Sequence, residues 1–308
     1  MADPSGTQAR ILCCVGGRYT VDVKDGDKVT TLQNLAAKGA FRHERIKPLP
    51  GDRVILREDE NGYFITSVCE RKNSLIRPPL ANLDILYIVT SCRTPAPVPG
   101  FADKITVICE KNDISPVIVV TKSELDPQTA EDTASVYRRC GYPAFTVSAE
   151  SGEGIDELKT FASSRHGTLS AFCGASGVGK STLMNALFPD MPVRCEVGDV
   201  SRRTQRGKNT TRAVTLFRVE DETYVADTPG FSLLDFERFD LCGKDELPYM
   251  FPEFSPYLCK CKYTKCSHTK EDGCLIRQAV ADGVIPESRY TSYLSLYEDV
   301  KNKKEWDK

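Results

Sequence analysis

The stretch GASGVGKS, residues 174–181, has the residue types and spacing of a phosphate-binding loop. Its glycines let backbone N–H groups converge on phosphate oxygens, and the helix-forming STLMNALF that follows adds a favourable dipole. The apolar run TLSAFC before it predicts the strand that such a loop follows. We expect Lys180 to reach the β- and γ-phosphates of a nucleotide and the Ser181 hydroxyl to bind Mg²⁺. The residues predicted to surround the phosphates are Gly174, Ala175, Ser176, Gly177, Val178, Gly179, Lys180, Ser181 and Thr182.

Two further elements complete a nucleotide-sensing set. DTPG ends the apolar run TYVAD, so the Asp227 carboxylate can support Mg²⁺ and the Gly230 N–H can contact the γ-phosphate and sense its loss. Between DTPG and the phosphate loop, NTTR offers Thr210 or Thr211 to complete the Mg²⁺ shell, and Thr211 is preferred. Together these motifs predict a nucleotide hydrolase whose loops respond to the γ-phosphate.

A base-reading element is found before the phosphate loop and not after it. The run VTKSELD, with SAE further on, resembles the NKxD and SAK signatures that read guanine. In this interpretation Lys122 packs along the guanine ring, Glu124 accepts hydrogen bonds from it, and Ser148–Ala149 presents a backbone N–H to O6. The predicted guanine site comprises Thr121, Lys122, Ser123, Glu124, Ser148 and Ala149. A cut and rejoined chain can build the same sheet, because circular permutation keeps contacts and changes connectivity.

A cluster of metal-binding residue types follows in CKYTKCSHTKEDGC. Three thiolates and one imidazole suit a closed, tetrahedral, structural zinc site, which leaves no position for a catalytic water. Cys259 is the one competing thiol nearby. The predicted ligands are Cys261, Cys266, His268 and Cys274.

The rest of the chain predicts the elements that position these motifs. Residues 10–70 contain short strands separated by turn residues, which favours a small barrel of the OB type. SLIRPPLANLD, residues 74–84, is interpreted as a linker. Strands then alternate with helices near 101–112, 127–140 and 155–162, which predicts a parallel sheet. From about residue 240 the chain is rich in Cys, Lys and Pro, and a helix is expected from about 286.

Composition excludes several classes of protein. The 308 residues are 40% hydrophobic and 27% charged, as in globular proteins, and no apolar run is long enough to span a bilayer. The first residues lack a basic segment followed by an apolar one, so we expect a cytoplasmic protein without a secretory signal. A net charge of −2 does not indicate nucleic-acid binding, although the basic stretches 194–212 and 257–270 could contact RNA.

Taken together, the motifs resemble the ribosome small-subunit-dependent GTPase A family (RsgA, also called YjeQ or EngC) over nearly the whole chain. The resemblance implies an α/β fold: a circularly permuted Ras-like P-loop GTPase domain with an N-terminal OB-fold β-barrel and a C-terminal zinc-binding, mainly helical domain. The expected domains are 1–73, 74–239 and 240–308. The implied cofactors are GTP or GDP, Mg²⁺ and one structural Zn²⁺.

The same resemblance implies a function. The chain is expected to bind the small (30S) ribosomal subunit and 16S rRNA as a monomer, without a membrane. It would hydrolyse GTP to GDP and phosphate with stimulation by the subunit, during late subunit assembly. An alternative is a nucleotide-gated, rRNA-binding assembly factor with little or no intrinsic hydrolysis. A stand-alone ATPase or kinase is disfavoured, because no second substrate site is apparent.

Several residues depart from the family pattern or from ordinary GTPases. Glu124 replaces Asp, so we expect GTP to be preferred over ATP with weaker discrimination. Thr121 replaces Asn and is expected to give up the amide that ties this turn to the phosphate loop. Phe231 follows DTPG, as the family implies, and cannot orient water. Asn209 stands where relatives carry His, so it can hydrogen-bond a water but cannot act as a base.

Overall fold

The computed structural model describes residues 6–26, 28–37, 47–60, 62–76, 78–98, 100–189, 214–227 and 242–301. Within these residues the chain divides into two compact units. Described residues in the ranges 1–85, 159–172 and 181–231 form the first unit, and those in the ranges 86–158, 173–180 and 232–308 form the second. None of the helices in the described ranges is both long and apolar enough to cross a membrane.

The first unit contains a closed five-stranded barrel. Each strand pairs with its neighbour in the order β1-β2-β3-β5-β4, and β4 returns to pair with β1. Only the β3–β5 pair is parallel. The inward-facing residues form one apolar core that includes Ile11, Val21, Val54 and Ile65, all with 0% exposure. The barrel strands are β1 Thr7–Val15, β2 Arg18–Asp25, β3 Lys28–Ala37, β4 Arg53–Asp59 and β5 Gly62–Val68. The predicted OB-type barrel is thereby confirmed.

The segment 74–84 is not the linker that its Pro pair suggested. It forms a hairpin of β6 Ser74–Ile76 and β7 Pro79–Ala81, in which Leu75 and Leu80 are buried. The buried Asn73 amide donates to the Leu83 carbonyl and accepts from the Leu83 N–H. This side chain supplies hydrogen bonds that the irregular backbone would otherwise lack, and burial of the leucines fixes the segment.

The first unit also holds three strands from later in the chain. β11 Leu169–Cys173 pairs in parallel with β13 Thr223–Asp227, and β13 pairs antiparallel with β12 Thr215–Glu220. β12 in turn meets barrel strand β1 through the pair Cys13 and Thr215. The β12–β13 hairpin therefore joins the barrel to the strand that leads into the phosphate loop.

The second unit contains a parallel sheet of the order β10-β9-β8. Its strands are fully or largely buried, as expected when helices cover both faces. α2 begins where Asp126 accepts a hydrogen bond from Thr129 N and Pro127 occupies the first turn. Its elements are β8 Ile85–Ser91, α1 Phe101–Lys111, β9 Ser115–Thr121, α2 Pro127–Arg139, β10 Ala144–Val147 and the first half of α3 Ile155–Ser163. The rest of α3, from Lys159, and all of α4 Lys180–Leu187 after Lys180 belong to the first unit. The predicted alternation of strands and helices is confirmed.

The C-terminal part of the second unit is mainly helical. Two 3₁₀ turns, Leu247–Met250 and Pro252–Phe254, precede α5 Leu275–Ala281 and α6 Glu287–Val300. Its small apolar core is aromatic: the ring of Tyr293 lies 5.4 Å from that of Phe251 and 5.1 Å from that of Phe254. The residues between the 3₁₀ turns and α5 are loop-rich and carry the predicted metal ligands.

Candidate functional site

The phosphate loop has the strand–turn–helix context that its sequence predicts. β11 is buried along its whole length and α4 begins at Lys180, so residues 174–179 form the turn between them. A side chain at Gly174 would place its Cβ 2.2 Å from the Val89 carbonyl oxygen of β8, so only glycine fits there. Ser176 and Gly177 are exposed, which leaves the backbone of the turn accessible to a ligand.

Lys180 is held inside this loop. Its ammonium donates to the carbonyl oxygens of Gly174 and Ala175, each at 2.8 Å. Burial lowers the pKa of Lys180, and the neighbouring Cys173 opposes this. A half-buried ammonium whose nearest partners are neutral carbonyls is suited to an anionic ligand, because phosphate oxygens would supply the missing counter-charge.

The predicted Mg²⁺ groups that the structure describes lie on two elements. Ser181 and Thr182 occupy the first turn of α4, and Asp227 is the last residue of β13. The parallel register pairs Ala171 of β11 with Ala226 of β13, and Asp227 is the next residue of β13. A hydroxyl and a carboxylate are suitable Mg²⁺ ligands or partners of its waters. The predicted Thr211, Asn209 and Gly230, with Phe231, lie outside the described residues.

The predicted guanine-reading turn follows β9 directly. Lys122 adopts a left-handed conformation, with φ of 59°, and a 3₁₀ turn covers Ser123–Leu125. Parallel pairing of Val147 with Thr121 brings Ser148 level with Lys122 at the carboxyl edge of the sheet. Glu124 is exposed, so its carboxylate is accessible to a base, whereas the Ser123 hydroxyl is buried without a hydrogen-bond partner in the described parts of the chain.

Thr121 does tie the guanine-reading turn to the phosphate loop, contrary to the expectation from its sequence. Its hydroxyl lies 2.6 Å from the Val178 carbonyl oxygen and 3.1 Å from that of Thr90. One hydroxyl hydrogen serves one strong bond at a time, and the shorter contact favours donation to Val178. A threonine hydroxyl therefore performs the tethering that an asparagine amide performs in the NKxD signature.

We predict that Thr121→Val weakens GDP binding about tenfold, because the variant leaves the buried Val178 carbonyl without its donor, at a cost of roughly 1–3 kcal/mol. Titration with a fluorescent GDP derivative measures the effect. Thr121→Ser, which keeps the hydroxyl, is the matched control and should bind nearly as the native chain does. Equal weakening in both variants would show that the methyl group, and not the tether, matters.

In the turn after β10, Ser148 is engaged in hydrogen bonds within the protein, whereas Ala149 is exposed. The Ser148 N–H donates to the Glu153 carbonyl at 2.9 Å, and the Ser148 hydroxyl accepts from Ser151 N at 3.1 Å. Ser148 is completely buried, whereas Ala149 is exposed. Of the predicted pair, Ala149 is consequently the residue whose N–H is accessible to a guanine carbonyl, and Ser148 shapes the turn.

Sequence reasoning missed the segment that follows β8. The Lys122 ammonium donates to the Thr94 carbonyl at 2.6 Å, and the Cys92 thiol lies 2.9 Å from the Lys122 carbonyl. Arg93 donates twice to Asp126, at 3.0 and 2.9 Å. Residues 92–94 thus brace the guanine-reading turn. Polar residues directly after a buried parallel strand were the available signal, because such residues gather at the carboxyl edge of a sheet.

The four predicted metal ligands come together. Their ligand atoms all lie within 4.8 Å of one another. The Nδ1 atom of His268 is 3.6 Å from the Cys261 sulfur and 3.4 Å from the Cys274 sulfur, which lie 4.0 Å apart. Zn–S bonds of about 2.3 Å at tetrahedral angles place two sulfurs about 3.8 Å apart, so the set fits a closed zinc site. Cys259 is exposed, and its sulfur contacts the Tyr249 hydroxyl at 3.7 Å instead.

Glu271 holds the turn that carries two of these ligands. Its carboxylate accepts from Ser267 N at 2.7 Å, Thr269 N at 3.0 Å and Lys270 N at 3.1 Å. Burial raises the pKa of Glu271, but these bonds and the Ser267 hydroxyl more than reverse this and lower it to about 2. From α6, Tyr290 donates to the His268 carbonyl at 2.8 Å. The ligand turn is thus fixed by a carboxylate from within and by a tyrosine from outside.

We predict that Glu271→Gln lowers zinc affinity by about 10–100-fold, because the amide cannot accept every N–H that the carboxylate accepts. Competition against a chromophoric chelator, performed on the full chain, gives the affinity. Asp272→Asn changes an exposed neighbour in the same way and serves as the control. If both variants retain zinc equally well, Glu271 does not position the ligands.

The chain is similar to known proteins over most of its length. The family model described as RsgA GTPase matches residues 68–237. A small ribosomal subunit biogenesis GTPase RsgA from Geobacillus kaustophilus is 42% identical over 272 residues, covering 87% of this chain and 90% of the relative. That of Caldanaerobacter subterraneus is 36% identical over 299 residues, covering 96% of each. YjeQ from Thermotoga maritima superposes with a TM-score of 0.79 at 30% identity, over 97% of this chain and 99% of that one. YloQ, described as a circularly permuted GTPase, gives 0.76 at 31% identity, over 98% and 97%.

Proposed function

Because this chain belongs to the RsgA GTPase family, we propose that it binds the small ribosomal subunit and hydrolyses GTP there during the subunit's late maturation. The observation that carries the nucleotide part is the hydrogen bond from Thr121 to Val178, which joins the guanine-reading turn to the phosphate loop. Two motifs far apart in sequence are thereby held as one nucleotide-binding surface in the second unit.

Each predicted site residue has a proposed role in binding or hydrolysing the nucleotide. Lys180 and the N–H groups of the phosphate loop hold the phosphates and neutralise charge that develops on them. When bound, Mg²⁺ supplies further charge stabilisation at the β- and γ-oxygens. Ser181 and Asp227 would hold that ion, with Thr211 closing its shell. Glu124 and Ala149 would orient guanine, and Gly230 would sense the γ-phosphate.

Neither Phe231 nor Asn209 can act as a base toward the attacking water, although the Asn209 amide can hydrogen-bond to it. Phe231 is apolar and Asn209 has no basic nitrogen, so we infer that turnover is slow until the ribosomal subunit orders the site. The alternative is an rRNA-binding assembly factor that uses GTP as a switch with little hydrolysis. Asn209 in place of the family histidine is the observation that favours it.

Single-turnover GTP hydrolysis, measured with and without purified small subunits, tests the proposal. We expect hydrolysis to accelerate with subunits present, and a non-hydrolysable GTP analogue to increase subunit affinity relative to GDP. Nucleotide-dependent binding without acceleration would establish the alternative. If neither GTP nor its analogue changes subunit affinity, the switch is absent and the proposal fails.

The loop-rich zinc region is proposed to contact 16S rRNA. Lys260, Lys262, Lys265 and Lys270 are all exposed, and the Lys262 ammonium lies 5.5 Å from the centre of the half-exposed Tyr263 ring. Lysines and an aromatic ring on a rigid loop suit phosphate contact and base stacking. We further propose that the protein is a cytoplasmic monomer with domains at 1–73, 74–239 and 240–308.

Glu124 is proposed to set the strength of guanine selectivity. Its side chain is one methylene longer than Asp, so its hydrogen bonds to the base are displaced at a cost of roughly 1–2 kcal/mol. We expect GTP to outcompete ATP in the native chain and Glu124→Asp to increase that preference about tenfold. Competition of GTP and ATP for a fluorescent nucleotide measures it, with Glu150→Asp as the control. Equal affinity for ATP and GTP in the native chain would overturn the assignment of Glu124.

A further inference from the structure

A cavity of about 360 Å³ lies in the first unit, where the barrel meets the β12–β13 hairpin. Its charged lining comes from Arg10 and Arg53 of neighbouring barrel strands, Asp22 and Lys24 of β2, and Glu222 of the hairpin. Tyr224 also lines it. Cavities of roughly 300–1,000 Å³ are typical of small-molecule sites, so this one has room for a small ligand. Neither the phosphate loop nor the metal cluster contributes to it.

Arg10 is the unusual residue of this cavity. It is only 8% exposed and its guanidinium lies 4.9 Å from the centre of the Tyr224 ring. Within the described residues its Nη1 atom is buried and has no hydrogen-bond partner. Burial and the nearby Arg53 both lower the pKa of Arg10. Tyr224, Asp84 and Glu222 act in the opposite direction but do not outweigh these effects. A buried cation with neither an ion-pair partner nor a full set of acceptors in the described residues is costly unless a ligand supplies them.

Arg53 places a second positive charge beside Arg10. In the β1–β4 pairing it lies directly opposite Arg10. Like charges opposite each other on paired strands are destabilising, so an anion between them would remove a repulsion as well as add hydrogen bonds. Two guanidinium groups also provide the forked donors that match the oxygens of phosphate.

The acidic residues of the cavity are already engaged. Asp22 accepts from the Thr31 hydroxyl at 2.6 Å and the Tyr224 hydroxyl at 3.2 Å, and it lies 3.5 Å from Arg218. Glu222 lies 3.6 Å from the Lys24 ammonium. Across the described ranges no carboxylate comes within ion-pair distance of Arg10 or Arg53. Arg10 and Arg53 are consequently the charged groups of the cavity that have no ion-pair partner among the described residues.

We propose that this cavity binds the phosphoryl group of a small phosphate monoester, or inorganic phosphate itself, between the guanidinium groups of Arg10 and Arg53. A monoester or free phosphate carries up to two negative charges on oxygens that are open to both guanidiniums. A phosphodiester within RNA carries one charge and two bulky substituents, which suits a recess of this size less well.

Equilibrium dialysis with radiolabelled inorganic phosphate tests the proposal on the full chain. A non-hydrolysable GTP analogue is kept saturating, so that the phosphate loop is filled. We expect one phosphate per chain, with affinity reduced about tenfold or more in Arg10→Met and in Arg53→Met. Arg57→Met, an exposed arginine on the same strand as Arg53 that does not line the cavity, should bind as the native chain does.

The possible outcomes distinguish binding of phosphate from a contact with RNA. If circular dichroism shows that Arg10→Met is unfolded, phosphate binding by Arg53→Met still tests the proposal, because the exposed Arg53 side chain is not part of the core. A second experiment uses an oligouridylate without terminal phosphates. If this RNA binds in a manner that depends on Arg53 and inorganic phosphate does not bind, the cavity is an RNA contact and the proposal is overturned. Absence of saturable phosphate binding, or equal loss in the Arg57 variant, would overturn it as well.

Discussion

Replacing Lys180 with alanine is expected to lower GTP hydrolysis about a hundredfold or more, measured in single turnover with small ribosomal subunits present. Two loop carbonyls hold the ammonium at 2.8 Å, so it lies within the phosphate loop before any ligand binds. The variant removes a charge from the place where negative charge develops on the transferred phosphoryl group.

The effect should be larger on the rate of hydrolysis than on GDP binding, because the predicted reach of Lys180 extends to the γ-phosphate. Lys159→Ala removes a half-buried lysine of α3 outside the phosphate loop and should leave the rate unchanged. Circular dichroism checks that both variants are folded. Native turnover in the Lys180 variant would exclude this loop as the hydrolytic site.

Replacing Arg289 with methionine is expected to lower the free energy of unfolding by about 3–5 kcal/mol. The side chain is completely buried, and it donates to Asp103 of α1 at 2.7 Å and to Glu253 of the second 3₁₀ turn at 2.7 Å. Burial lowers the pKa of Arg289, but the two carboxylates more than reverse this and hold it well above its usual value. Removal of the guanidinium would leave both buried carboxylates without their partner.

Urea unfolding followed by circular dichroism measures this loss. Arg138→Met removes an exposed arginine that pairs with Glu131, and it should cost only about 1 kcal/mol. A triple variant, Asp103→Asn with Glu253→Gln and Arg289→Met, leaves no buried charge and should be more stable than Arg289→Met alone. If the triple variant is the less stable of the two, the cost does not come from unpaired buried carboxylates.

Arg289 also explains how the C-terminal helix is joined to the rest of the second unit. Its guanidinium lies 4.8 Å from the centre of the Phe251 ring and within 6 Å of those of Tyr137 and Tyr142. Ser292, on the same helix, hydrogen-bonds to the other oxygen of Asp103. Nothing in the sequence near ESRYTSYLSLYEDV distinguishes this arginine from a solvated one, because both of its acidic partners are distant in sequence.

Elements governed by local patterns were predictable. The alternating strands of the barrel, the glycines of the phosphate loop and the spacing of the four metal ligands are short-range features, and their physical requirements can be read from neighbouring residues. The order of these motifs along the chain is also read directly from the sequence, and it predicted the permuted sheet. The segment 74–84 was misjudged because a Pro pair is a local signal, whereas the burial of Leu75 and Leu80 is set by what packs on them.

The sequence by itself determined which chemical groups this protein has: a phosphate-loop motif, a predicted guanine-reading turn with an unusual threonine, and three thiols with one imidazole at metal-ligand spacing. Only the tertiary structure decided which groups meet. Thr121 reaches Val178 across 57 positions, Arg289 meets Asp103 across 186, and Arg10 lies opposite Arg53 on the paired strand. Hydrogen bonds and charges act over a few ångströms in space, and separation along the chain does not measure that distance.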